Sequence, residues 1–370
     1  YLDFLPKVMA AETTEDYYRV MMGLAPLLQD GHTNIYPPEE LLDRFFARPP
    51  VVTELIEDRV LVRRVDSASL AAQVRAGDEL IAIDGVPVRR HAEEGVAPFV
   101  SSSTPQDKLV RMYGYQLLAG DARTPLILTL RDAKGRVRDV RLARGGYQDL
   151  RQPERFGFRM LPGGVAYFAL DHFEDDAGVR AFVAALPRIL GARALVIDLR
   201  NNGGGSTGFG WDILGYLSTA PIPQPPQYVR SDAPHQRAQG DAVFWMPTNR
   251  FGAPGLAQAQ PRVFDGKVAV LTGARTFSAG EDFVLAFNAL KRGITVGAAT
   301  GGSTGQPLFM KLPGGGSARV CVKRDLTADG RDFVGKGILP DVEVHESVDT
   351  VRANRDVVLE RALALLKQSK

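Results

Sequence analysis

From residue 165 onward the chain repeats one rhythm: a short, continuously apolar run, then a stretch with helical spacing. The runs are 165–170, 194–199, 267–271 and 294–296, and the helix-periodic stretches fall near 177–190, 208–218 and 279–291. Runs this short, apolar at nearly every position, fit strands buried on both faces. The rhythm therefore predicts a largely parallel sheet with helices on both sides. One run, Ala194-Leu195-Val196-Ile197, closes on Asp198-Leu199-Arg200-Asn201-Asn202-Gly203-Gly204-Gly205. A buried strand ending in two amides and three glycines presents bare backbone N–H groups to something negative, an anion or an oxyanion.

The 370 residues, 45% of them hydrophobic, are enough for two or three units at roughly 100–200 residues per domain. With 45 basic and 43 acidic side chains the formal charge is +2, and no dense Lys/Arg run occurs, so nucleic acid is not an expected partner. A single cysteine, Cys321, excludes an internal disulfide, and the five histidines lack zinc-site spacing, so a structural metal is not expected. No apolar run approaches the roughly 20 residues that span a bilayer. The opening Tyr1-Leu2-Asp3, without a methionine, reads as a fragment or processed form, with any signal or anchor upstream.

Residues 1–30 place Tyr17, Val20, Met21, Leu24, Leu27 and Leu28 at helical intervals and stop at Asp30-Gly31-His32-Thr33, a small helical cap. A further helical piece spans 41–46. Between 51 and 146 short strands (60–62, 79–83, 126–130, 137–142) alternate with Gly and Asp turns, and residues 95–120 form a long helical insertion. The stretch 219–262, rich in Pro and Gln, reads as a long surface loop or lid. A Gly-rich hairpin follows near 313–316, then a final helix over 356–367. No internal repeat is present.

The second chemistry-bearing segment is Thr276-Phe277-Ser278-Ala279-Gly280-Glu281, after the strand at 267–271. Ser278 and Glu281 have the spacing of a capping box, the commonplace reading. Ser278 as a nucleophile needs a base and an oxyanion site besides. The N–H groups of Gly203 or Gly204, with that of Ala279, supply the second. His32, in a Gly-flanked turn at a helix end, is the best placed base. His172 sits in an acidic turn beside Glu174, and His91, His235 and His345 are expected at the surface.

Residues 76–88, a strand, an Asp-Gly turn and a second strand, resemble the hairpin of a PDZ domain, a fold that binds peptides by strand addition. No Gly-Leu-Gly-Phe loop precedes Leu61. Taken in order, Asp30 to Thr33, this hairpin, Asp198 to Gly205, Thr276 to Glu281, and Gly335-Lys336-Gly337-Ile338-Leu339-Pro340-Asp341 resemble the tail-specific, C-terminal-processing and tricorn-like serine peptidases. The resemblance implies an α/β fold with a crotonase- or Clp-protease-like catalytic core, an N-terminal helical cap and an inserted PDZ-like domain. The corresponding limits are 1–48 for the cap with His32, 49–146 for the PDZ-like domain, 147–348 for the core and 349–370 for a C-terminal helix. It also implies serine endopeptidase activity without a cofactor, peptide or unfolded-protein substrates, and a periplasmic or secreted location.

The tail-specific branch carries a catalytic lysine about 25 residues after its serine; here Ser303 holds that place, leaving Lys291 or Lys311 as substitutes. The tricorn-like branch uses a histidine ahead of the PDZ unit, where His32 stands. Gly31 occupies that branch's serine position, with Thr33 or Ser303 as replacements, and Val334 stands where its glutamate is expected. The supporting group stays open among Glu281, Ser303, Asp30 and Asp332. Two other readings remain: a catalytically inactive binder of peptides or hydrophobic ligands, and a crotonase-type acyl-CoA enzyme.

Overall fold

The computed structural model describes residues 2–149, 156–231, 233–242, 244–248 and 260–368. Parts of four expected segments lie outside the described residues: Tyr1 of the cap, 150–155 of the core, 232, 243 and 249–259 of the 219–262 stretch, and 369–370 of the last helix. The chain forms two compact units of mixed α/β structure. One takes Tyr1–Pro153, Phe309–Val320 and Glu346–Val357; the other takes Glu154–Leu308, Cys321–His345 and Val358–Lys370.

In the first unit five antiparallel strands follow the order Val51–Ile56, Arg59–Val65, Glu79–Ile83, Leu126–Arg131, Val137–Leu142. Their inward residues, among them Val60, Val62, Leu80, Ile83, Leu128 and Leu130, pack against Val96, Met112, Tyr113 and Leu117 of the helical insertion. The expected Asp-Gly hairpin is present: Ile83 pairs with Val86 across Asp84 and Gly85, both at positive φ (49° and 77°), as a tight two-residue hairpin turn requires. The helical cap is anchored by Tyr18, which is fully buried and whose hydroxyl donates to Pro313 O and accepts from Gly316 N–H, both at 2.7 Å. Strand Asn34–Tyr36 joins Ser317–Cys321 in a small sheet.

In the second unit six strands follow the order Val342–Glu343, Ile294–Gly297, Lys267–Thr272, Ala194–Asp198, Val165–Ala169, Gly157–Leu161, all pairs parallel except the last. Successive residues alternate between two buried faces. Leu195, Ile197, Val268 and Val270 meet Phe182, Ile213, Phe283 and Phe287 of three helices. Val196, Ala269, Leu271 and Val296 meet Leu359, Ala362 and Leu366 of the last helix. Burial on both sides is why these strands read as unbroken apolar runs.

The expected loop at 219–262 is corrected within its described residues. Gln227–Ser231 pairs with Phe244–Pro247 and with Lys323–Asp325 in a three-stranded antiparallel sheet. Prolines at 221, 223, 225 and 226 precede these strands, so the Pro-rich composition masked them.

Candidate active site

Strands Ala194–Asp198 and Lys267–Thr272 are parallel neighbours in register, Asp198 opposite Leu271, so the segments that follow them emerge at the same sheet edge. That adjacency carries the Gly203–Gly205 run and Ser278 together. The contact is close: a Cβ on Gly204 would stand 2.7 Å from Ser278 Cβ, 2.9 Å from Phe277 O and 3.1 Å from Ala279 N. Asn202 clamps the approach. Its backbone carbonyl accepts Phe277 N–H at 2.9 Å, and its buried side chain donates to Leu170 O and accepts Gly204 N–H, each at 2.9 Å.

Ser278 precedes helix Ala279–Ala289 and forms a capping box with Glu281, as expected. Its backbone is not that of an ordinary cap. N-cap residues adopt β-region dihedrals, whereas Ser278 sits at φ 54°, ψ −122°. A non-glycine residue held there costs about 1–3 kcal/mol and persists only where its surroundings enforce it. The enforcement is visible: Ser278 N–H donates to Ser303 O at 3.2 Å and to Glu281 Oε2 at 3.1 Å, while Phe277 is tied to Asn202. Strained strand-to-helix turns of this kind expose a serine hydroxyl. At the same helix start, no hydrogen bond among the described residues engages Ala279 N–H, whereas those of Gly280, Glu281 and Asp282 turn back to Phe277 and Ser278 carbonyls.

The two expected glycine donors differ. Gly204 N–H is bound to the buried Asn202 Oδ1, and Gly204 itself is buried. Gly203 is exposed, and its N–H reaches Asp171 O at 3.2 Å. Neither N–H is idle in this state, a correction to the picture of bare amides. Hydrogen bonds that cross-link a strand end consume the donors that composition alone leaves uncounted.

Among the proposed supporting groups, Glu281 is fully buried. Its Oε1 accepts Thr300 Oγ1 (2.5 Å) and Gly302 N–H (2.8 Å), and its Oε2 accepts the N–H groups of Ser303 (3.0 Å) and Ser278 (3.1 Å). Burial pushes its carboxyl up to about 7 against the pull of those donors. No imidazole is among the four. Ser303, also buried, is brought beside Ser278 through its carbonyl. Asp332 is exposed and clasped by Arg324 Nε and Nη2 at 2.8 and 2.7 Å, which holds its carboxyl below the usual range. Val334 packs against the core where a glutamate was sought, and Lys291 and Lys311 are exposed.

His32 lies in the first unit, 4% exposed, which fits neither a surface residue nor an apolar core filler. Its turn is built by Asp30, whose Oδ1 accepts His32 N–H and Thr33 Oγ1, both at 2.9 Å. Ser103 Oγ accepts Gly31 N–H at 2.9 Å. Asp30 thus shapes the loop's backbone. Of the histidines assigned to the surface, His235 and His345 are exposed, but His91 is half-buried against the helical insertion, where burial lowers its pKa.

Sequence reasoning missed a buried polar group beside the Ser278 helix. Asp282 Oδ2 accepts Thr207 Oγ1 at 2.6 Å, Lys323 Nζ meets Asp325 Oδ1 at 3.0 Å, and burial raises both carboxyls, Asp325 to about 6. The available signal was an aspartate beside Glu281 in the otherwise apolar run Ala279 to Phe287. Among the described residues no His/Cys/Asp/Glu group is arranged to hold a metal, and no helix is long and apolar enough to cross a membrane.

Residues 164–344 match the family model described as Peptidase family S41. Over 307 residues the chain is 26% identical to carboxyl-terminal-processing peptidase 1, chloroplastic, of Arabidopsis thaliana; the match covers 80% of this chain and 53% of that protein. The chain thus spans about half the length of the curated relative it matches. In fold it is similar to mature CPAF complexed with lactacystin, with a TM-score of 0.76 at 16% identity over 100% of this chain and 92% of that one. It is similar also to the photosystem II D1 C-terminal processing protease, with a TM-score of 0.51 at 21% identity over 93% and 86% of the two chains. The parallel sheet, the glycine-rich strand end and the serine at the head of its helix all fall within the matched span, and residues 164–344 form a peptidase family S41 domain.

Proposed function

We propose that this chain is a serine endopeptidase acting on peptides or unfolded proteins, with a crotonase- or Clp-like core, an N-terminal helical cap and a PDZ-like insert at 49–146. Ser278 Oγ attacks the scissile carbonyl to give an acyl-enzyme, and His32 takes the serine proton and returns it to the leaving amine. Ala279 N–H is one oxyanion donor. Gly203 is the second, because its N–H is held by the longer bond of the two glycines, 3.2 Å, on an exposed residue. Gly204 then serves by its missing side chain. The family match supports peptidase chemistry, and one observation carries the assignment to Ser278: a positive φ of 54° at the head of a helix, braced by Ser303, Glu281 and the Phe277–Asn202 bond, which a simple cap does not need.

Ser278→Ala is expected to abolish both peptide cleavage and fluorophosphonate labelling with the fold intact, and His32→Ala to depress both by several orders of magnitude. Undiminished turnover by Ser278→Ala would sink the assignment. The inactive-binder reading draws on the occupied N–H groups of Gly203 and Gly204; it requires that wild-type protein resist labelling at any pH.

A further inference from the structure

Two neighbouring cavities open within the first unit. The larger, about 280 Å³, is walled by Met22, Phe45, Phe46, Val96 and Phe99, and the charges on its rim are mutually spent: Arg44 pairs with Glu15 and Asp121. The smaller, about 130 Å³, shares Met22, Phe46, Phe99 and Gln116 with it, and adds two guanidinium groups, Arg111 and Arg319, with no carboxylate in its lining.

The two arginines are not equivalent. Arg111 Nε is bound to both oxygens of Asp107, at 2.8 and 2.9 Å, so its charge is balanced. Arg319 has only neutral partners: Asn34 Oδ1 accepts from its Nε and Nη2 at 3.0 and 2.6 Å, and the Tyr36 ring lies 5.5 Å beneath it. Asp30, whose charge favours the guanidinium, is already committed to the His32 turn. Burial and the neighbouring Arg111 both disfavour its charge. A partly buried cation facing a cavity without a counterion is costly unless a ligand supplies the missing charge, and a guanidinium fork fits a carboxylate best. Asn34 and Tyr36 begin two residues after His32, so a group held here is tied to the strand that continues from the histidine turn.

From this we infer that the smaller cavity is a carboxylate subsite for the substrate peptide, with Arg319 as its principal ligand, and that the larger cavity receives an adjoining apolar side chain. The inference rests on the peptidase reading. The carboxylate belongs either to an acidic side chain or to a chain terminus, and the test separates them. Full-length Ser278→Ala protein is titrated with fluorescent versions of one apolar peptide, ending in a free carboxylate or an amide, and carrying one internal Glu or Gln. Neutralising the recognised group is expected to weaken binding about 10- to 100-fold, and Arg319→Met to erase that difference.

Loss in the amide arm identifies a terminus; loss in the Gln arm identifies a side chain. Should Arg319→Met fail to fold, Arg319→Lys serves: a point charge in place of the fork weakens the carboxylate peptide several-fold and leaves its neutral counterpart unchanged. Equal affinities for all four peptides, no binding of any, or discrimination that survives loss of the guanidinium overturns the inference. Discrimination by a protein whose wild-type form never cleaves or labels would instead sink the peptidase reading and leave the subsite standing.

Discussion

Gly204→Ala isolates the close approach on which the site depends. The added Cβ would lie 2.7 Å from Ser278 Cβ, while carbon–carbon contacts settle near 3.5 Å or beyond, so one partner must give way by roughly 0.8 Å. Neither can rotate aside, because the other two contacts, at 2.9 and 3.1 Å, are backbone atoms of Phe277 and Ala279. Gly204 also sits at φ 98°, which strains any L-residue. Overpacking and backbone strain each cost about 1–3 kcal/mol, giving a loss of about 2–6 kcal/mol. A displacement near 1 Å in a nucleophile costs on the order of 100-fold in rate. Gly203→Ala is the control for stability: no atom lies within 4 Å of its Cβ position, so its urea midpoint should stay near wild type. Urea unfolding of both variants and the fluorophosphonate labelling rate of Gly204→Ala provide the check. Labelling of Gly204→Ala at the wild-type rate would refute the steric argument, as would severe loss of stability in Gly203→Ala.

Three further outcomes follow from the geometry. The Glu281 carboxyl, pushed by burial from 4.5 to about 7, holds its proton more tightly folded than unfolded, so the stability it contributes is full below about pH 4.5 and lost as pH rises through 7. This amounts to about 3 kcal/mol; urea midpoints against pH should fall less steeply in Glu281→Gln, and an unchanged slope contradicts the account. Asn202→Ala leaves Gly204 N–H and Leu170 O unpaired in a buried site and should cost about 2–4 kcal/mol in chemical denaturation, with a loss below 1 counting against the clamp. Asp332→Asn breaks an exposed ion pair, so stability should change by less than about 1 kcal/mol and Ser278 labelling should be untouched; a large kinetic effect would reinstate Asp332 as an orienting acid.

The inner strands of the sheet were legible because nearly every residue in them answers to the same demand, burial on both faces, and the helices between them keep a clear period. Asp84-Gly85 and the turn at Asp30 were legible because their chemistry is local. What escaped was non-local. The strands Gln227–Ser231 and Lys323–Asp325 pair across about a hundred residues, and a Pro-rich approach hid the first. Glu281 reads in sequence as half of a cap, yet three of its four donors come from residues 300–303, which spacing cannot reveal. Nor does composition disclose that Asn202 has already spent the amide of Gly204, or that Ser278 is held at a positive φ.

The pairing of Asn34 with Arg319 spans 285 residues and sets a timetable for synthesis. The His32 turn is made ahead of Arg319 by nearly the whole of that separation, so the strand that flanks it and the guanidinium beside it arrive much later. Closing so long a loop is slow. The sheet that carries Ser278 likewise lacks its edge strand Val342–Glu343 until then. A nascent chain therefore lacks a finished histidine loop until residues 317–321 have been made.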